Sequence, residues 1–172
     1  MSLAVRRVHA DEWERVRELR LAALGDPDAG IAFYGSLDRA SVQPDDFWRR
    51  RAERTAAGDA DAQFVAVVDD EWVGSATVLS RPAEGDVPAH ADIVAVYVRP
   101  EHRGSGTIDA LLAAAIAWAR SIGHDRVQLT VHASNTRAQR AYRRAGFVPT
   151  GAAFTGPNGL ELVFAQETPA GA

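Results

Sequence analysis

The chain contains no cysteine. That absence removes a disulfide framework, a thiolate nucleophile, cysteine-ligated zinc and a prenyl anchor. No apolar run approaches the roughly eighteen residues of a membrane span, and Met1 to Glu12 lacks the sustained apolar stretch of a signal peptide. A basic excess is missing as well: 19 Lys+Arg stand against 23 Asp+Glu, a formal net charge of −4. So weak a negative field argues against general nucleic-acid binding. Neither an internal repeat nor a second domain is visible. These exclusions lead to the expectation of a soluble, cytoplasmic protein with no membrane or nucleic-acid partner.

What is present is ordinary globular composition: 172 residues, 47% apolar and 24% charged. A chain of this length buries roughly two thirds or more of its unfolded surface, so its core needs no metal or disulfide staple. We expect a single domain over 1–166 and a polar C-terminal tail over 167–172.

The first half reads as helical after one strand. Leu3 to Val8 is a short strand; Asp11 caps a helix running to about Ala23, with Glu14 as capping partner. Gly25 to Gly35 is rich in turn residues, and Pro44 with Asp45 and Asp46 opens an amphipathic helix toward Ala57. The second half alternates strand and helix. Phe64 to Val68 and Trp72 to Leu79 form a hairpin around Asp69-Asp70-Glu71, and Arg81 to His90 is a loop. Ile93 to Val98 is almost continuously apolar and suits a central strand buried on both faces. Ile108, Leu111, Leu112, Ala115, Ile116 and Ala119 step by three and four, which predicts a helix ending at Gly123. Val127 to Val131 alternates as a half-buried strand, Asn135 to Ala145 is helical, and Leu160 to Phe164 is a last strand. The order predicts an α/β layer with a parallel pair joined across the helix after Gly106.

Two segments carry chemistry. Val98 to Ile108 takes a buried strand through Gly104 and Gly106 into a helix. Glycines allow backbone N–H groups to approach a ligand, and a helix start favours an anion such as pyrophosphate. A turn using glycine only for backbone freedom explains the same residues equally well. A dinucleotide fingerprint needs glycine where Asp109 stands, and the Gly-Lys-Ser/Thr of a P-loop is absent. In the second segment Asn135 and Tyr142 lie seven residues apart, roughly 20° out of line on one helix face. Taken singly, the asparagine reads as a helix cap and the tyrosine as a boundary aromatic.

Together these segments resemble the GNAT superfamily of acyl-CoA-dependent N-acyltransferases, whose signature V-x-P-x-x-R-G-x-G-x-G/A precedes N-x-x-A-x-x-x-Y-x-x-x-G-F. Val98, Pro100, Arg103, Gly104 and Gly106 match the first part, and Asn135, Ala138, Tyr142, Gly146 and Phe147 match the second. Ile108 departs from it, standing where the family has glycine or alanine. The resemblance implies a GNAT-like mixed sheet of about six to seven strands flanked by about four helices, with acyl-CoA in a cleft between two splayed parallel strands. It implies acetyl-CoA as co-substrate, no metal, and CoA contacts from Tyr97, Val98, Arg103, Gly104, Ser105, Gly106, Thr107, Ile108, Asn135, Arg137 and Ala138. Arg103 would add a charge-assisted contact, and Arg137 or Arg140 would meet the ribose phosphate.

The implied reaction is direct attack of a primary amine, on a small molecule or a protein, upon the thioester in a ternary complex. An alkylamine at pH 7 must first lose a proton, which costs about 4.6 kcal/mol from reference values. Asp92, where many family members carry a carboxylate, is the candidate base; a strand-edge aspartate paired with an arginine explains it equally well. His132 is the second candidate. Tyr142 occupies the position of the acid facing the departing thiolate, and the Val98 N–H, freed by a strand bulge, would polarise the carbonyl. Phe33, Tyr34, Phe47, Trp48 and Trp72, with Asp45, Asp46, Asp69 and Asp70, would suit a cationic acceptor, although core and turn roles account for them. A non-catalytic acyl-CoA sensor or partner-binding module on the same fold is the alternative, and a homodimer is left open.

Overall fold

The computed structural model describes residues 2–168. Seven strands form one sheet in the order β1-β2-β3-β4-β5-β7-β6. They are β1 Leu3–Arg7, β2 Asp61–Val68, β3 Glu71–Arg81, β4 His90–Val98, β5 Arg126–His132, β6 Val148–Gly156 and β7 Gly159–Glu167. Four longer helices, α1 Trp13–Leu24, α4 Asp45–Ala56, α5 Thr107–Ser121 and α6 Thr136–Arg144, flank it. Two others are short: α2 Ala29–Ala32 lies in the segment read as turns, and α3 Leu37–Ser41 follows it. The tail expected over 167–172 begins at the last residue of β7, and 169–172 lie outside the described residues.

Every neighbouring pair is antiparallel except β4 and β5. That parallel pair holds register only at Ala91–Val127 and Asp92–Gln128, after which the two strands part. The α5 crossover makes the parallel pairing reachable, since parallel strands need a long connection. The β2–β3 hairpin turns on Asp69 and Asp70, both at positive φ (48° and 67°), the conformation a two-residue hairpin loop requires.

Two clusters of buried side chains sandwich the sheet. On one face Leu111, Leu112, Ala115 and Ala119 of α5, spaced as the sequence predicts, pack on Val73, Val78, Ile93, Leu129 and Phe164. On the other, Val16 and Leu19 of α1 and Trp48 and Ala52 of α4 pack on Val65, Trp72 and Tyr97. Each large aliphatic side chain buried this way stabilises by about 1.5–3 kcal/mol. The sheet therefore separates an α5/α6 face from an α1/α4 face.

Two local expectations change. The cap before α1 is His9 with Glu12, not Asp11 with Glu14: the Glu12 carboxylate accepts from the His9 N–H at 2.8 Å. Glu12 wins because it also holds Arg6, at 2.6 Å, and that hydrogen bond keeps its carboxyl below the ordinary range. Nor is β4 buried on both faces throughout: Val94 is exposed and Ala95 and Val96 are half-buried, because β5 has already turned away.

Candidate active site

The parting of β4 and β5 opens a cavity of about 560 Å³ that reaches both layers of helices. Its wall along β4 is shaped by a bulge. The pairs Ser75–Tyr97 and Thr77–Val94 leave Ala95 and Val96 opposite the single residue Ala76, and Ala95 takes φ +53°. A non-glycine residue held there costs roughly 1–2 kcal/mol, strain of the kind found at functional sites. Just past the bulge, where Gly74 pairs with Val98, β3 comes close: a Cβ at Gly74 would meet the Tyr97 carbonyl oxygen at 2.7 Å.

Beyond the bulge the backbone polarity follows from register. Arg99 N–H donates to the Val73 carbonyl at 2.8 Å, so 99 and 73 are a hydrogen-bonded pair. Antiparallel pairs alternate, which makes Val98–Gly74 the non-bonded pair and turns the Val98 N–H away from β3, toward the gap left by β5. Val98 lines the cavity there.

The turn into α5 supplies a second set of donors. Gly104 (φ +76°) and Gly106 (φ +85°) take left-handed conformations, and α5 starts without a side-chain cap. The N–H groups of Gly104, Ser105, Gly106, Thr107 and Ile108 find no backbone acceptor among the described residues. Those orphan donors and the helix dipole suit a pyrophosphate. Gly104 and Ile108 line the cavity; Ser105, Gly106 and Thr107 do not, and the Ser105 hydroxyl is bonded to the His102 carbonyl and to Thr107 (2.9 Å). Ile108 packs on the α5-side core while bordering the cavity, so its side chain takes the place of a helix-facing contact rather than of an N–H donor.

Arg103 differs from expectation. Its guanidinium is already committed, donating to the Val98 carbonyl (3.0 Å) and to the Asp26 carboxylate (2.7 Å). Burial pushes the Asp26 carboxyl up, but the Asp28 N–H and Arg103 outweigh it and hold it below the ordinary range. Arg103 thus ties the end of β4 to the loop after α1. Arg137, at the start of α6, pairs with Asp28 at 3.1 Å on the same loop. Arg140 lines the cavity with no ion-pair partner among the described residues.

On α6, Asn135 Oδ1 accepts from the Ala138 N–H (3.2 Å), which makes it the helix cap, and both residues line the cavity. Tyr142 lies one face along, 7% exposed, its ring edge-on to Phe147. Its hydroxyl makes no hydrogen bond among the described residues, and burial, followed by the charge of Glu161, pushes its pKa up to about 12. It is a protonated donor at any physiological pH. Tyr97 also lines the cavity, edge-on to Phe33.

Asp92 is not brought to the cavity. Its carboxylate lies within reach of Arg81 (3.2 Å) and His90 (3.4 Å) where β4 is still paired to β5, so the cleft opens only after it. His132 reaches the cavity with both ring nitrogens used: Nδ1 accepts from the Ser134 N–H (3.0 Å), leaving Nε2–H to donate to the Asn158 carbonyl (2.9 Å). Neither expected base is free. Three carboxylates line the cavity: Asp26 and Asp28 are paired with Arg103 and Arg137, whereas Glu161 of β7, 5% exposed and beside the Tyr34 hydroxyl, has no ion pair among the described residues. Burial raises its pKa, opposed by His132 and Tyr34. Its signal in the sequence is an acid set among the apolar residues of the last strand.

The acidic residues suggested for the acceptor side are elsewhere too. Asp45 pairs with Arg17, Asp46 with Arg49 and Arg50, and Asp69 and Asp70 form the hairpin turn. Of the aromatics named with them, Phe33 and Tyr34 line the cavity; Phe47, Trp48 and Trp72 do not.

Comparison with known proteins decides the family. The model of the acetyltransferase (GNAT) family matches residues 13–147. The chain belongs to that family. The mycothiol acetyltransferase of Clavibacter sepedonicus is 34% identical over 138 residues, which is 80% of this chain and 39% of that protein. This chain spans between 21% and 39% of the mycothiol acetyltransferases it matches. Among solved structures, a GNAT-family acetyltransferase from Streptococcus pneumoniae overlays with a TM-score of 0.80 at 17% identity, covering 98% of this chain and 100% of that one. The protein yncA from Salmonella typhimurium, solved with acetyl-CoA, overlays with a TM-score of 0.75 at 18% identity, covering 100% of this chain and 97% of that one. At these identities the overlays establish the GNAT fold, with its mixed sheet and splayed parallel strands.

Proposed function

We propose that this protein transfers the acetyl group of acetyl-CoA to a primary amine by direct attack in a ternary complex. The observation that carries it is one cavity lined by Val98 with its outward N–H, by Tyr142, whose hydroxyl has no partner among the described residues, and by Gly104 and Ile108, which bracket the N–H groups opening α5. Membership of the GNAT family and the acetyl-CoA bound by yncA support the same reading.

Acetyl-CoA supplies an acetyl group already activated as a thioester. The helix start, with Gly104 to Ile108, would hold the pyrophosphate, and Arg140 a further phosphate. Val98 N–H donates to the carbonyl oxygen, where negative charge develops. Glu161 accepts the proton of the amine; the nitrogen lone pair forms the C–N bond, and the C–S electrons leave with sulfur. Tyr142 donates a hydrogen bond to that sulfur. From a phenol near 12 to a thiol near 8.5, full proton transfer is uphill by about 3.5 pK units, about 4.8 kcal/mol. Hydrogen bonding therefore stabilises the departing thiolate, and solvent completes its protonation.

No helix among the described residues is long and apolar enough to cross a membrane, and a cytoplasmic location is part of the proposal. All 19 basic residues are arginines, so the chain offers no lysine amine of its own. Amine-dependent thiol release across a panel of acceptors tests the reading. Release that rises with acceptor and falls in Tyr142→Phe supports it; tight CoA binding without release on any acceptor replaces it with the sensor.

A further inference from the structure

The α1/α4 side of the cavity holds two arginines without an acidic partner. Arg20 of α1 and Arg51 of α4 both line it. The neighbouring arginines of these helices are paired: Arg17 with Asp45, Arg49 and Arg50 with Asp46, and Arg54 with Asp61. Arg20 and Arg51 make no ion pair and their guanidiniums make no hydrogen bond among the described residues. The Arg51 Nε is fully buried with no acceptor, and the Arg20 guanidinium lies over the Phe33 ring, 5.0 Å from its centroid. Burial, then the charge of Arg51, lowers the Arg20 pKa to about 10; burial lowers that of Arg51 as well. Two like charges at half-buried positions along one cavity wall are unfavourable until an anion joins them. Guanidiniums are suited to planar, bidentate recognition of an oxyanion.

CoA has its own phosphate site on the opposite face, at the start of α5 and along α6. The arginine pair belongs to the other layer of helices and adjoins Phe33, whose neighbour Tyr34 lies against Glu161. One cavity therefore carries a positive pole at Arg20 and Arg51 and a negative pole at Glu161, with residues 33 and 34 between them.

We propose that the acceptor is an amine that also carries an oxyanion, its nitrogen directed to Glu161 and its anionic group held by Arg20 and Arg51. This rests on the acetyl-transfer reading above and names its acceptor class. It replaces the cationic acceptor suggested by the acidic residues of the sequence.

The test measures acetyl-CoA-dependent thiol release with three matched series: ω-amino carboxylates of increasing length, their carboxamides, and aminoalkyl phosphonates, alongside simple alkylamines and polyamines. The expected kcat/KM for the best anionic acceptor exceeds that of its carboxamide by about 30-fold or more, the low end for losing one partner of a buried charge pair. The carboxylate and phosphonate arms identify which oxyanion fits. In Arg20→Gln and Arg51→Gln the preference collapses toward unity through KM for the acceptor. Both variants should unfold at or above the parent temperature, since each removes an unpaired, half-buried charge, so lost preference is separable from lost fold. Equal turnover of anionic and neutral amines overturns this inference and leaves acetyl transfer standing. No release with any amine overturns both.

Discussion

Asp26 and Arg103, 77 positions apart, meet at 2.7 Å, and the same guanidinium reaches the carbonyl of Val98. The signature arginine thereby fastens the loop after α1 to the strand whose end lines the cavity. The Asp26 side chain is 4% exposed, so removing its partner strands a buried carboxylate. Arg103→Ala should lower stability by about 3–5 kcal/mol, read by urea unfolding. Asp26→Asn should lose less, because the amide keeps an acceptor. Equal and small losses for both would show the pair to be a surface contact in energetic terms.

The β4 bulge makes a prediction of opposite sign at two sites. Ala95→Gly relieves a left-handed φ and should stabilise by about 1 kcal/mol. Gly74→Ala places a methyl 2.7 Å from the Tyr97 carbonyl, which must shift, so it should lower the melting temperature and raise KM for acetyl-CoA. A Gly74→Ala protein with parental melting and KM would mean that the bulge has slack.

Much of this architecture was readable locally. The apolar stripe from Ile108 to Ala119 is a property of one helix, and the Asp69–Asp70 turn of one hairpin, so periodicity and turn chemistry suffice for both. The cleft is not local. It depends on β5 pairing with β4 at only two positions and then with β7 along its whole length, which no pattern within a strand encodes. Asp92 lies outside the cavity for that reason: its place in the segment matches the family pattern, but the strands have not yet parted there. Glu161 is one acid in a mostly apolar strand, and in sequence Arg20 and Arg51 look no different from the ion-paired arginines beside them on α1 and α4; only the fold gathers the three.

Tyr142→Phe keeps the aromatic surface and removes the free hydroxyl. Turnover should fall about 100-fold, the scale of losing one hydrogen-bond donor to developing negative charge in the transition state, with KM for acetyl-CoA little changed. With the Tyr142 pKa up at about 12, no alkaline limb near pH 8–9 should belong to it. A parental kcat in the variant would remove the hydroxyl from the reaction.

Glu161 links rate and stability to pH. A carboxyl whose folded pKa is raised binds its proton more tightly when folded. Its stabilising contribution is therefore complete below the unfolded value of about 4.3 and is lost as pH rises through the folded value. Glu161→Gln should accordingly melt higher than the parent at pH 7 and gain nothing near pH 4. The same substitution should abolish the acid limb of kcat/KM and lower turnover at pH 7. An unchanged acid limb would assign the base elsewhere.

Isothermal titration of the protein with CoA tests most directly that the parted strands form an acyl-CoA cleft. The account predicts saturable binding of one equivalent, retained in Tyr142→Phe and weakened by Ile108→Asp, which sets a carboxylate at the mouth of the α5 donors. No saturable heat with CoA or acetyl-CoA, from a protein that unfolds cooperatively, would contradict it.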